Sequence, residues 1–352
     1  MMFDIEDYNY ELPLSSIAQV PASKRDHSRL FVVDRQGKSL SDNHFFDLPK
    51  LVNTGDLLVV NDTRVVPARL FGQKESGGRV EILVLGHPGQ GEENPATRLC
   101  LLKSSKRPKI GSLLYFDSGV SGQVKEGLEN GLVRIKFSGD LTIDSLLEAK
   151  GHMPLPPYIK RGANGVYSQL DKERYQSVFS KRKGAVAAPT ASLHFTGDLV
   201  KKLETSGIPV ATITLHVGYG TFSPVRTADI RGHILGEESY SIEHETAEAI
   251  ELTRKKGGKV VAVGTTVVRA LETAVTEDGS IAPGEGITDL LITPGFPFNV
   301  VDALITNFHL PKSSLLFLVS AFAGLELIME AYRLAVDKGY RFYSYGDAML
   351  IV

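Results

Sequence analysis

After Gly184 the chain repeats one texture: a short β-branched or small apolar run, a polar loop, then a stretch with helical spacing. Val260–Val263 runs into Gly264-Thr265-Thr266 and a helix to about Ala274. Ala303–Asn307 runs into HLPKSS and a helix near Leu315, with Ser313 or Ser314 as its cap. Ala185–Ala188 leads to a loop and a helix from about Gly197 to Thr205, which Thr196 is placed to cap. Val210–Val217 and Leu57–Asn61 are further strand-like runs. A strand followed by a helix and another strand returns to the same end of the sheet, so these runs predict a mostly parallel sheet. Their lack of polar alternation fits strands covered by helices on both faces.

From Ala68 to Gly151 the texture differs. Val80–Leu85, Leu99–Lys103, Ser112–Phe116 and Leu132–Phe137 are short β-type runs, separated by turn signals at Ser76-Gly77-Gly78, His87–Gly91, Ser118–Gly122 and Asn130-Gly131. Closely spaced strands without helical periodicity read as a small barrel or sandwich. The expected fold is therefore an α/β domain, with a mostly parallel sheet and flanking helices, interrupted by an inserted small β-barrel domain. Residues 1–67 and 152–352 form the α/β domain and 68–151 the insertion, with crossing points near Pro67 and Gly151–Pro157.

The 352 residues include 42% hydrophobic side chains, enough for two cores. With 39 basic against 41 acidic residues the net charge is −2, which excludes a chain held to nucleic acid by bulk charge. Any polynucleotide must be met by local patches. Two are visible: Lys103, Lys106, Arg107 and Lys109 in the barrel, and Arg174, Lys181, Arg182 and Lys183 just before Gly184, with Lys160 and Arg161 upstream. Cys100 is the one cysteine, so no intrachain disulfide and no cysteine-based zinc site is expected. The acidic opening MMFDIEDYNYELP lacks the basic and apolar regions of a signal peptide. The apolar stretch Ser314–Gly324, continuing to Val336, is broken by charges short of the roughly 20 residues a spanning helix needs. A buried helix and a cytoplasmic protein with no membrane partner are expected.

Ligands of open α/β sheets bind beyond the carboxyl ends of the strands. Here those ends carry Asn61, Asp62 and Arg64; Thr190 and His194; His216 and Thr221; Thr265, Thr266 and Arg269; and Asn307, His309 and Lys312. No G-x-G-x-x-G or G-x-x-x-x-G-K-[ST] motif occurs, which disfavours classical dinucleotide and P-loop chemistry. The histidines are not spaced as H-x-x-x-H or H-E-x-x-H, so no metal site is expected and acid–base or hydrogen-bonding roles lead. Gly264-Thr265-Thr266 taken alone reads as an ordinary helix cap. Arg269 fits either an anionic ligand or an ion pair. Asp347, in the apolar run SYGDAMLIV, needs a partner, either Arg341 or a neighbouring amide on one reading, or a substrate group on the other.

Several long motifs resemble one family. GAVAAPTASLHFT (Gly184–Thr196), TLHVGYGTFSPV (Thr214–Val225), AVGTTVVRALETA (Ala262–Ala274), DALITNFHLPKSSLLFLVSAFAG (Asp302–Gly324) and YRFYSYGDAMLI (Tyr340–Ile351) are similar to the S-adenosylmethionine:tRNA ribosyltransferase-isomerases, the QueA family. GDLLVVNDTRVVPARLFG (Gly55–Gly72), GHMPLPPYIKR (Gly151–Arg161) and the segment Tyr10–Leu30 extend the likeness across the chain. The resemblance implies transfer and isomerisation of the ribosyl part of S-adenosylmethionine onto 7-aminomethyl-7-deazaguanine at the wobble position of a tRNA. Epoxyqueuosine is formed, and adenine and methionine leave. S-adenosylmethionine is then a co-substrate, with no other cofactor, and the protein is expected to act as a monomer.

Such chemistry asks for a base at the carbon beside the sulfonium and a donor to the departing adenine. His194 is the leading candidate, suited by its ordinary pKa near neutrality, with His216 and His309 as the others; orienting Thr190 or a loop carbonyl is the alternative role for His194. Asn61, Arg64, Thr190, Thr265, Arg269 and Asn307 are candidates for holding substrate, and Arg174, Lys181, Arg182 and Lys183 for touching tRNA. Tyr219 or Phe222 could face the sulfonium. Ser192 stands where the family often has glycine, so a glycine-only backbone angle is not required there. A tRNA-binding protein without catalysis, or a methyltransferase, are the competing readings.

Overall fold

The computed structural model describes residues 2–85, 95–161, 167–222 and 225–352; the turn expected at His87–Gly91 and the side chains of Thr221 and Phe222 lie outside the described set. In chain order the strands begin with β1 (Arg29–Asp34), β2 (Ser39–His44) and β3 (Leu57–Asn61). A short β4 (Thr63–Val65) leads to β5 (Arg69–Lys74), β6 (Arg79–Leu85), β7 (Thr97–Ser104), β8 (Leu113–Tyr115), β9 (Ser121–Gly127) and β10 (Leu132–Ser138). Then follow β11 (Arg182–Ala185), β12 (Val210–Leu215), β13 (Glu238–Ile242), β14 (Val260–Val263), β15 (Gly284–Thr288), β16 (Ala303–Asn307) and β17 (Ala348–Ile351).

Among the described residues nine strands form the large sheet, in the order β15-β13-β12-β3-β14-β16-β17-β1-β2. Its middle, β12-β3-β14-β16, is parallel. The flanks introduce antiparallel pairs: β13 with β12 and β15 on one side, β17 with β16 and β2 with β1 on the other. Because β17 reverses and β1 runs parallel to it, the starts of β17 and β1 lie at the same edge as the ends of β3, β14 and β16. That reversal sets which residues meet at the site.

Both faces are covered, which explains the unbroken apolar runs. On one face Val59, Ala262 and Leu304 pack with Val267, Leu271, Leu316 and Phe317 of the helices Thr265–Thr273 and Ser314–Ala323. On the other, Val60, Val263 and Ile305 pack with Phe45, Phe195, Leu199 and Leu203. The helix Gly197–Thr205 begins where expected, with the Thr196 hydroxyl accepting from Leu199 N at 3.1 Å. Ser313 likewise caps the helix Ser314–Ala323. The apolar stretch after Ser314 is two helices, Ser314–Ala323 and Leu325–Asp337, bent by 116° at Gly324, whose φ of 90° ends the first. Among the described residues no single helix is long and apolar enough to cross a membrane.

β5 to β10 close into a six-stranded barrel. Burial alternates along β6, β7 and β10, so Val80, Ile82, Cys100, Val133 and Ile135 fill the interior. Ile143, Leu146 and Leu147 of the helix Ile143–Lys150 complete that core. Asn130 and Gly131, at φ 54° and 84°, make the tight turn into β10. β9 was not anticipated: its first residues fall in the Ser118–Gly122 turn signal, and Val124 is its one large buried side chain. The chain enters and leaves the barrel at one place. A Cβ on Gly151 would lie 2.0 Å from the Pro67 carbonyl oxygen, and Arg69 and His152 exchange backbone hydrogen bonds of 3.2 and 2.8 Å.

One strand differs from expectation. Ala185–Ala188 is not a strand of the large sheet. β11 covers Arg182–Ala185 and pairs with β4 in a separate parallel ribbon, because Lys181 N and Arg182 N bond to the Asp62 carbonyl and draw the chain there.

Candidate active site

The chain after β11 crosses the edge of the large sheet and forms a 3-10 turn, Thr190–His194. It lies close to the start of the helix Thr265–Thr273, where a Cβ on Gly264 would sit 3.7 Å from that of Ala191. Gly264 has φ 100°, a backbone angle that glycine tolerates and a side chain resists. No side chain caps that helix; the Thr266 hydroxyl accepts from Asn61 Nδ2 at 3.3 Å instead.

His194 is buried between Ser28 and Asn307. Ser28 Oγ lies 2.7 Å from Nδ1 and Asn307 Nδ2 lies 3.2 Å from Nε2, while the ring stacks on Phe45 with centroids 5.0 Å apart. These contacts fix the tautomer. The Asn307 amide nitrogen can only donate, and its second bond, to the Tyr343 carbonyl at 3.0 Å, excludes the flipped amide. Nε2 is therefore the lone-pair nitrogen and Nδ1 carries the proton. Ser28 Oγ accepts that proton and passes its own to the Arg25 carbonyl at 3.2 Å. Burial pushes the His194 pKa down to about 4, the nearby Asp347 carboxylate opposing the shift in part. The ring is neutral at pH 7.

Two polar atoms here are left over. Asn307 Oδ1 and Ser192 Oγ are buried without a hydrogen-bond partner. Burying such atoms unpaired costs about 1–3 kcal/mol each, a cost that ligand hydroxyls or water would remove. A shallow cleft opens beside His194, lined also by Arg25, Ser28, Arg174, Ser344 and Tyr345. Its wall at Tyr343–Gly346 is a tight turn with Tyr343 at φ 69°, an uncommon angle for a bulky residue.

The other candidates separate. His309 turns to the opposite face of the sheet. Its Nε2 lies 2.9 Å from Thr306 Oγ1, its carbonyl accepts from the Tyr10 hydroxyl, and burial pushes its pKa down to about 3. It is a core histidine, away from the cleft, because strand residues 306 and 307 point to opposite faces. His216 packs flat on Gly184, where a Cβ would lie 2.3 Å from its ring, and its Nδ1 lies 2.8 Å from Thr63 Oγ1. It holds the β4–β11 ribbon against β12.

Asn61 is likewise spent on structure. Its Oδ1 accepts from Thr63 N and Leu215 N, and its Nδ2 donates to the Leu215 carbonyl and Thr266 Oγ1. Arg269 pairs with the buried Glu238, whose other oxygen accepts from Gly218 N at 2.7 Å, and its Nε donates to the Leu290 carbonyl. Its anionic partner is internal, so it orders the HVGYG loop. Tyr219 packs with Ala68, Leu85 and Val186 where the barrel joins. Thr190, half-buried, and Thr265, buried, remain beside the His194 turn.

The basic group divides as well. Arg64 and Lys183 face each other across the β4–β11 register, and both are exposed. Lys183 reaches Glu148 at 2.8 Å and Arg182 pairs with Glu243, whereas the Lys181 side chain is exposed. Arg174 turns inward and donates to the Ala22 carbonyl at 2.6 Å. Asp347 accepts from Arg29 N, Arg341 N and Arg341 Nη2 at 2.9–3.1 Å, which settles it as a structural carboxylate. Among the described residues no three His, Cys, Asp or Glu side chains gather as a metal site would need.

The model of the family described as "Queuosine biosynthesis protein" matches residues 5–351. The chain belongs to that family. It is 50% identical to the S-adenosylmethionine:tRNA ribosyltransferase-isomerase of Gloeobacter violaceus, over 99% of this chain and 96% of that one. It is also 50% identical to the enzyme of the same name from Geotalea uraniireducens, over 99% of both. The crystal structure of the S-adenosylmethionine tRNA ribosyltransferase from Thermotoga maritima is 35% identical and superposes with a TM-score of 0.55, over 98% of this chain and all of that one. Sequence reasoning missed Ser28 and Arg25 beside His194, since they precede β1, a strand that joins this edge only through the reversal of β17.

Proposed function

We propose that this chain transfers the ribosyl portion of S-adenosylmethionine to the aminomethyl group of 7-aminomethyl-7-deazaguanine at the wobble position of tRNA. The sugar is isomerised to the epoxycyclopentanediol of epoxyqueuosine, with release of adenine and methionine. Membership of the queuosine biosynthesis family over nearly the whole chain carries this reading. S-adenosylmethionine enters as co-substrate, and the protein works as a monomer.

His194 is the acid–base residue in this proposal. Its neutral ring offers the Nε2 lone pair at pH 7 once the long Asn307 contact yields to substrate, and its Nδ1 proton is anchored on Ser28. Asn307 Oδ1 and Ser192 Oγ, both unpaired, suit ribose hydroxyls, with Thr190 in the same turn as His194 and Thr265 beside it. Arg64, Lys181, Arg182 and Lys183 lie along the ribbon between sheet and barrel and would meet tRNA phosphates, which position a polynucleotide while a pocket reads one base.

The test is direct. Purified protein incubated with S-adenosylmethionine and tRNA bearing the deazaguanine precursor releases adenine and methionine in equal amounts, read by chromatography. A labelled methyl group transferred to tRNA, or no adenine under any condition, overturns the proposal.

A further inference from the structure

Two guanidinium groups at the cleft beside His194 have carbonyl partners only. Arg25 donates from Nη1 to the Leu193 carbonyl at 3.0 Å and from Nη2 to the Glu173 carbonyl at 2.9 Å. Arg174, at the end of the helix Ser168–Arg174, donates from Nη2 to the Ala22 carbonyl and from Nη1 to the Ser23 carbonyl, and its Nε is buried without a partner. Among the described residues neither forms an ion pair. Glu173 is exposed and accepts from Gln169 at 2.7 Å.

Three other shielded arginines are neutralised by carboxylates, while Arg35 has carbonyl partners only but stands alone, over the Phe322 ring. Arg161 is held by both oxygens of Asp171, Arg269 by Glu238 and Arg341 by Asp347. Arg25 and Arg174 differ from all three. Burial disfavours both charges, and the charge of Arg174 acts against that of Arg25, so both guanidiniums are held below their ordinary pKa. A positive pair maintained at that cost, in a cleft, is the electrostatic setting for an anion. The geometry leaves donors for one, since each terminal nitrogen spends a single N–H on its carbonyl.

We infer that Arg25 and Arg174 form an oxyanion seat next to His194 that takes a charged oxygen group of one of the two substrates. The group is a tRNA phosphodiester beside the wobble nucleotide, or the carboxylate of the methionyl part of S-adenosylmethionine. The inference rests on the proposed ribosyl transfer. It adds Arg25, a residue outside the sheet endings, and gives Arg174 a defined chemistry. The seat's neighbour Leu193 precedes His194, so an anion bound there also fixes the turn that carries the base.

The test uses the full chain and the variants Arg25→Gln and Arg174→Gln, each of which keeps an amide donor but loses the charge. Affinities for S-adenosylmethionine and for precursor-bearing tRNA are measured separately, beside the melting temperature. The Kd for one substrate rises about tenfold per variant while the other is unmoved. If a phosphate is the anion, tRNA weakens and the slope of log Kd against log salt falls by about one. If the carboxylate is the anion, S-adenosylmethionine weakens, and its decarboxylated analogue binds wild type and variants alike. Unchanged Kd values for both substrates in a folded Arg174→Gln protein overturn the seat. Arg174 hydrogen-bonds only to the carbonyls of Ala22 and Ser23, so that variant gives a reading even if Arg25→Gln unfolds. Adenine release by the wild type, followed in parallel, separates failure of the seat from failure of the ribosyl-transfer proposal.

Discussion

His194 and His309 are tied to consecutive residues of β16 and occupy opposite sides of the sheet. Asn307 reaches His194 on the face that holds Phe45 and Phe195, and Thr306 reaches His309 on the face that holds Phe308 and Tyr332. Both rings are buried, and burial depresses both, to about 4 and about 3. By burial alone they are alike, although Asp347 and two arginines act on His194 and burial is the one cause of the His309 shift. Their surroundings differ: His194 borders a cleft with unpaired Ser192 and Asn307 oxygens nearby, whereas His309 lies in a layer of T-shaped aromatic contacts, including Phe308–Tyr332 at 5.3 Å. A perturbed histidine is therefore a candidate base only when something can reach it.

The largest expected effect breaks this pair apart. His194→Ala lowers the rate of adenine release per folded molecule by about 10²–10⁴-fold, the span of a lost acid–base group, on top of the stability lost with any buried ring. His309→Ala removes packing instead, costing about 2–5 kcal/mol of stability by denaturant titration, while the rate per folded molecule stays within a few-fold. A stable His309→Ala protein that has lost its rate would reverse the assignment.

A smaller effect separates the two strand neighbours. Asn307→Asp replaces the donor at Nε2 with a carboxylate, which favours the protonated ring and raises the His194 pKa. The acid limb of the pH–rate profile moves up by about 1–3 pH units, and the rate recovers as pH rises above it. Thr306→Val, one residue away on the other face, leaves the pH–rate profile in place. A profile that moves equally in both variants would remove the orienting role given to Asn307.

The sequence exposed the parts of this arrangement whose signals are local. β3, β14 and β16 occupy the runs read for them, since a strand buried on both faces must be apolar without interruption. The caps at Thr196 and Ser313 were equally legible, because a cap needs only the next three residues. What escaped depends on distant pairing. Arg29–Asp34 reaches the site edge through a β17 that begins more than three hundred residues later, and nothing in Arg25–Ser28 announces that Ser28 will hold a histidine. Arg269 and Asn61 carry the right chemistry for substrate, but Glu238 and the Leu215 backbone consume it. Residue type revealed which groups were capable, and only the fold distinguished a spare hydrogen bond from a spent one.

The smallest effect tests how alike the two histidines are. Each has a folded-state pKa below the ordinary 6.5, so between that value and the folded pKa the unfolded chain binds a proton that the folded chain refuses. The stability each contributes is complete above about pH 6.5. It is lost as pH falls, down to about 4 for His194 and about 3 for His309. The slope approaches about 1.4 kcal/mol per pH unit for each ring. His194→Gln and His309→Gln should therefore flatten the acid limb of the stability curve by similar amounts, read by denaturant titration from pH 7 to pH 4.5. Equal flattening together with unequal loss of rate would show that the two rings share their burial penalty and differ in what borders them. If only one variant flattens the curve, the other ring is solvated at low pH, and the likeness between the two sites ends at their burial.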